Sequence, residues 1–95
     1  MVTEFAEFEV KPEETEAFIA WAAAGKAMLL QAAACHGVVL HRSVENPAHF
    51  VLAVEWDSVT AHHDCRATAA FQAWRAKVGP FFAGQPHAWH GEAVI

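Results

Sequence analysis

Apolar and polar residues alternate from the start of the chain, with Val2, Ala6, Phe8 and Val10 interleaved among Thr3, Glu7 and Glu9 before Pro12 interrupts the pattern. A period of two marks a half-buried strand, so residues 2–10 are predicted as the first one. The period then lengthens. Phe18, Trp21, Gly25, Met28, Leu29 and Ala32 recur every three or four residues, which is one buried stripe of a helix. Glu13, Glu14 and Glu16 complement its positive end. The spacing predicts a long helix over 13–34, with Gly37 as its stop.

Two β-branched, apolar runs follow. Val38-Val39-Leu40-His41-Arg42-Ser43 meets Phe50-Val51-Leu52-Ala53-Val54-Glu55-Trp56 across the turn-forming Glu45-Asn46-Pro47-Ala48, which predicts a hairpin. Asp57 and Ser58 are good caps for a helix over 59–67, and Thr68 caps a continuation through Phe71, Trp74 and Val78 that ends at Gly79-Pro80, so this region is one helix or two. A last strand is expected over 87–94. The order β-α-β-β-α-β, with short connections and right-handed crossovers, gives an α+β ferredoxin-like plait: a four-stranded antiparallel sheet with its helices on one face. One domain over 1–95 is expected, without repeats, linkers or low-complexity tracts.

The hairpin is apolar on both sides. Alternation groups Val38, Leu40, Val51 and Ala53 on one face, and Val39, His41, Phe50, Leu52, Val54 and Trp56 on the other. Helices can cover only one, and an uncovered apolar sheet face is best satisfied by a second copy of itself, so a homodimer packed sheet to sheet is expected. Size points the same way, because a chain of 95 residues buries only roughly 60% of its unfolded surface and gains from a partner. Arg42 and Glu55 could pair in that interface, or stay solvated near the sheet edges.

Composition narrows the partners. Six Lys and Arg against 11 Asp and Glu leave a net charge of −5, the wrong sign for tracking nucleic-acid phosphates. No apolar run spans a bilayer, and the acidic opening Val2-Thr3-Glu4 resembles no signal or transit peptide, so a soluble, cytoplasmic protein is expected. Cys35 and Cys65 stand alone and read as small buried hydrophobes. There is no phosphate-binding glycine loop, no dinucleotide fingerprint, no nucleophile elbow and no H-E-x-x-H.

Chemistry falls to histidine and carboxylate, since there are seven histidines and no tyrosine. His62 and His63 lie on the second helical region ahead of Phe71 and Trp74, while Trp89 and His90 lie on the last strand. A helix facing that strand encloses an aromatic pocket with imidazole at its edge, suited to a flat aromatic ligand. His41 enters it if its side of the hairpin faces the helices. Adjacent helical residues cannot share a face, so one of His62 and His63 is the candidate general base and the other faces water or packs. The sets His62-His63-Asp64-Cys65 and His87-Ala88-Trp89-His90 look like metal ligands, but helical neighbours diverge by about 100° and strand neighbours alternate, so neither alone grips one ion. No metal site is expected.

The hairpin ending Val54-Glu55-Trp56-Asp57-Ser58, followed by His62, Phe71 and a late His90, resembles the antibiotic biosynthesis monooxygenase family over nearly the whole chain. That resemblance implies a dimeric α+β barrel with a cavity between helices and sheet in each subunit. It also implies oxygenation of phenol, quinol or anthrone-type aromatics of polyketide kind without metal or flavin, dioxygen being the co-substrate. Relatives on this fold also cyclise polyketides or degrade heme. The heme-degrading pattern places an asparagine on strand one, where this chain has Ala6 and Glu7, so heme chemistry is disfavoured. With no tyrosine, proton transfer would rest on His62 or His63 with His90 polarising a substrate oxygen. Trp74, Phe71 and Trp56 would form the stacking walls, and His41 and Trp89 would be further substrate contacts.

Overall fold

Strand β1 (Val2–Glu9) lies at the heart of the sheet, hydrogen-bonded on one side to β3 (His49–Trp56) and on the other to β4 (His87–Gly91), with β2 (Cys35–Arg42) completing the order β2-β3-β1-β4. All neighbours are antiparallel. Helices α1 (Thr15–Leu29), α2 (Val59–Arg66) and α3 (Ala69–Arg75) make the crossovers, with short 3-10 turns at Pro12–Glu14 and Gly79–Phe81. The structure is a computed structural model that describes residues 1–95. Its topology is the ferredoxin-like plait that the element order predicts.

The alternation of β1 sorts the core. Ala6 and Phe8 point under the helices, as do Phe50, Leu52, Val54 and Trp56 of β3, and all are buried. Helix α1 lays Phe18, Trp21, Ala22, Gly25 and Leu29 on them. Phe18 is the keystone, with ring centroids 5.3 Å from Phe8 and 4.9 Å from Phe50. Fully burying an aromatic side chain contributes roughly 2–3 kcal/mol, so this cluster carries much of the fold's stability.

Helix α1 ends at Leu29, five residues before the expected end at 34. The alanine-rich residues that follow favour helix, but a turn wins: Ala32 N–H bonds Leu29 O, and the Ala34 carbonyl accepts from Asp57 N–H instead of continuing the spiral. Gly37 therefore sits inside β2, at an irregularity where Cys35 pairs with Trp56 and Gly37 with Glu55. A Cβ there would lie 3.0 Å from the tip of the exposed Glu55 side chain, so Gly37 serves the strand irregularity and not a helix stop. Strand β4 ends at Gly91, three residues short of expectation.

The hairpin register reverses the expected faces of β2. Val38 pairs with Val54 and Leu40 with Leu52, so both lie on the helix side; Val39 pairs with Ala53 and His41 with Val51, facing the other way. The uncovered face carries Phe5 packed against Trp89, ring centroids 4.8 Å apart and planes tilted by 30°, together with Val39, Val51 and Ala53. Val39 is 49% exposed and Trp89 48%. Arg42 does not meet Glu55. It donates to the Pro47 carbonyl at 2.9 Å and lies over the Phe50 ring.

Candidate active site

A cavity of about 330 Å³ lies between the helices and strands β1, β3 and β4, with Pro86, His87 and Ala88 at its β4 edge. Its floor is Ala6, Leu52 and Val54; its walls include Trp21, Phe71 and Trp74; and His62 and Glu4 reach into it. Two caps aim the helical residues. Ser58 Oγ accepts from Ala61 N–H at 3.1 Å and fixes the start of α2, while Thr68 Oγ1 accepts from Phe71 N–H at 3.2 Å and restarts the chain as α3. With α2 phased in this way His62 faces inward and is buried, while His63 is exposed.

His62 stands at the centre of a polar chain. Its Nδ1 is 2.7 Å from His90 Nε2, and its Nε2 is 3.3 Å from Glu4 Oε1. The Trp56 indole N–H donates to the same Glu4 oxygen at 3.2 Å, and the Trp56 ring stacks on the His62 imidazole at 5.1 Å. Strand pairing explains the convergence: Glu4 is opposite His90 on β4 and Val54 on β3, so both side chains project from neighbouring positions of the inward face. A 2.7 Å contact between two ring nitrogens requires one to carry hydrogen and the other to be bare. The pair therefore holds at most one extra proton.

Burial sets the charge states. Desolvation, reinforced by His90, Arg66 and His63, pushes the His62 imidazolium down to about 4, so the ring is neutral at physiological pH. Desolvation also raises the Glu4 carboxyl, against the Trp56 hydrogen bond and the positive potential of His90, Arg66 and Arg75. A neutral imidazole and a carboxylate of raised basicity, side by side in an apolar cavity, form an apparatus for taking and returning a proton.

The site gathers some of the sequence-derived residues and disperses others. His62, Phe71 and Trp74 line the cavity, and His90 supports His62 from the strand. His63 points to solvent, its ring 6.1 Å from His90. Trp56 is fully buried beneath His62 and is a support for the imidazole, not a wall. His41 and Trp89 lie on the uncovered face of the sheet, away from the cavity, because each occupies the outward phase of its strand. No three His, Cys, Asp or Glu side chains converge as a metal-ligand set.

Glu4, Arg66, Arg75 and His87 also line the cavity and are the residues that sequence reasoning missed. The signal for Glu4 was present: it occupies an inward phase of β1, between Val2 and Ala6, where an acidic side chain must find a partner. Arg66 follows His62 by four residues and so shares its helical face.

A ferredoxin-like plait with a histidine-bearing aromatic cavity beneath its helices places the chain among small α+β proteins of that fold. The model of the antibiotic biosynthesis monooxygenase family matches residues 1–77, and the chain belongs to that family. A crystal structure from Bordetella bronchiseptica, named for the same family, is 39% identical with a TM-score of 0.90, covering 99% of this chain and 97% of that one. Proteins named for the family from Nitrosomonas europaea (19% identity, TM-score 0.89, all of both chains) and Deinococcus radiodurans (16%, 0.86, 98% of this chain and 92% of that one) share the fold. No curated protein matches the chain. No helix is long and apolar enough to cross a membrane.

Proposed function

We propose that the chain is a cofactor-independent monooxygenase acting on a phenol, quinol or anthrone-type aromatic small molecule, with dioxygen as co-substrate. The observation that carries this reading is the His62–His90 contact at the inner end of an aromatic cavity. In the tautomer where His62 Nδ1–H donates to His90 Nε2, the His62 Nε2 lone pair faces Glu4 Oε1 at 3.3 Å, and a substrate hydroxyl entering between the two meets a bare nitrogen. It takes the substrate proton as the Nδ1 proton passes to His90, so the buried ring never holds a positive charge that its surroundings disfavour. The charge appears on His90, in the field of the Glu4 carboxylate.

Deprotonation leaves an electron-rich phenolate or enolate among apolar walls, where neighbouring dipoles act at low dielectric. That anion is the reductant. For a methylene substrate the balance is one dioxygen consumed, one oxygen atom placed on the ring carbon as a ketone and the other released as water once the relay returns its proton. Phe71 and Trp74 orient the ring. The apolar, uncovered sheet face supports pairing of two copies into a homodimer, with one cavity in each.

The test is oxygen uptake by the protein after chelator treatment, over a panel of hydroquinones and anthrones, with the metal content of untreated protein measured in parallel. Uptake without metal supports the proposal. Uptake lost on stripping and restored by one ion replaces it with a metal-dependent oxygenase, and turnover of a polyketide without oxygen consumption replaces it with a cyclase.

A further inference from the structure

Six Lys and Arg side chains serve the whole chain against 11 Asp and Glu. Two of the six, Arg66 and Arg75, line the same cavity. Each follows a cavity residue of its own helix by four positions, Arg66 after His62 and Arg75 after Phe71, which sets both on the stripe that turns over the pocket. Both are exposed while His62 and Glu4 are not, so the guanidiniums stand at the mouth and the proton-transfer groups deeper in.

Neither guanidinium has a partner. The carboxylate pairs of the molecule are all made by histidines: His36 with Asp57, His49 with Glu7 and Glu9, and His62 with Glu4. The guanidinium of Arg42 has its carbonyl and its ring, but no acceptor lies on Arg66 or Arg75. A basic residue in the last turn of a helix complements the carbonyl end. That explains a cation on each helix, but not why both lie over one cavity in a protein of net charge −5. Glu4, the one acidic side chain lining the cavity, is occupied by the Trp56 indole N–H and lies beside His62.

Two unpaired forks at the rim of an aromatic slot match a ligand with a flat ring and a planar anionic group, because a guanidinium binds a carboxylate through parallel N–H donors and a low-dielectric cleft focuses its field. We propose that the cavity is selective for acidic aromatic ligands, Arg66 and Arg75 holding the anionic group at the mouth and the ring lying inward against Phe71 and Trp74. This rests on reading the cavity as the substrate pocket. It adds that the substrate, or a ligand competing with it, carries a carboxylate or equivalent anion beside the ring to be deprotonated.

The test is binding, so it stands apart from turnover. Anilinonaphthalene sulfonate and phenylnaphthylamine share a ring system and differ by the anionic group; each is titrated into the protein at fixed ionic strength and followed by fluorescence. The expected result is one site per chain, with the sulfonate bound about tenfold or more tightly than the neutral probe. The double variant Arg66→Gln/Arg75→Gln should lose that preference while keeping its affinity for the neutral probe. Lys26→Gln, which removes one of the two cations, with Arg42, that line the groove between α1 and β2, should change neither. Equal affinity for the two probes, failure of both to bind, or a preference that survives the double variant or falls in Lys26→Gln would overturn the proposal. Oxygen uptake with neutral hydroquinones alongside any of those results would leave the oxygenase standing and remove only the acidic ligand.

Discussion

Trp21 of α1 and Trp74 of α3 are bound to each other reciprocally: their rings stack at 4.1 Å with planes 4° apart, and each indole N–H donates to the other's backbone carbonyl at 2.9 Å. The pair clamps α3 onto α1, satisfies two partly buried donors, and leaves Trp74 free to line the cavity. Wall and clamp are therefore one object. Gly25 makes the approach feasible, since a Cβ on it would lie 2.2 Å from the Trp74 ring.

Gly25→Ala should accordingly push the two indoles apart. Because the obstacle is a packed ring, the expected loss is about 1–3 kcal/mol of stability, as for other overpacked cores. The excitonic circular-dichroism couplet of the stacked indoles should weaken in step with the urea midpoint. A midpoint that falls while the couplet is unchanged would place the strain elsewhere.

The His62–His90 contact makes a kinetic prediction that separates neighbouring histidines. His62→Gln removes the base and should lower turnover roughly 10²-fold or more with the fold intact, whereas His63→Gln, at an exposed position, should leave it unchanged. His90→Gln retains the base but not the imidazole that relieves it of charge, so its loss should fall between the two. Equal losses at His62 and His63 would overturn the assignment.

Much of this arrangement was legible in the sequence, and the exceptions have physical causes. The alternation of β1 and the caps Ser58 and Thr68 announce their elements because each satisfies a local requirement of strand or helix. The parity of β2 is not legible, since both faces of the hairpin are apolar and only the register set through the 43–48 loop decides which residues go inward. For the same reason alternation alone groups His41 with Phe50 and Leu52, whereas its pairing with Val51 turns it to the uncovered face. The choice between His62 and His63 depends on the phase of a short helix, and Glu4 becomes a site residue only when pairing brings His90 opposite it.

Acid should destabilise the protein through His62. Its folded pKa, about 4, lies below the ordinary 6.5, so between those values the unfolded chain binds more protons than the native one and stability falls as pH falls. Integrated from pH 7 to pH 5 this single group costs about 2 kcal/mol. Glu4 acts with the opposite sign, because a raised carboxyl favours the native state as its proton is taken up. His62→Gln should therefore flatten the acid limb of urea-midpoint against pH, and Glu4→Gln should steepen it. An acid limb in His62→Gln identical to that of the parent would show that other groups govern the transition.

The uncovered sheet face yields the last prediction. Phe5, Trp89, Val39, Val51 and Ala53 form one apolar surface on the side opposite the cavity, and Trp89 rises from it at 48% exposure beside Phe5. If this face is the homodimer interface, a charge placed at its most protruding ring must be buried against its own symmetry mate, a like-charge contact that apolar surroundings cannot relieve. Trp89→Glu should then sediment as a monomer at concentrations where the parent sediments as a dimer. Because Trp89 is remote from the α1 core, the secondary structure of the variant should survive, and any loss of oxygen uptake would report the contribution of the dimer to the cavity. A Trp89→Glu protein that remains dimeric would move the interface off this face.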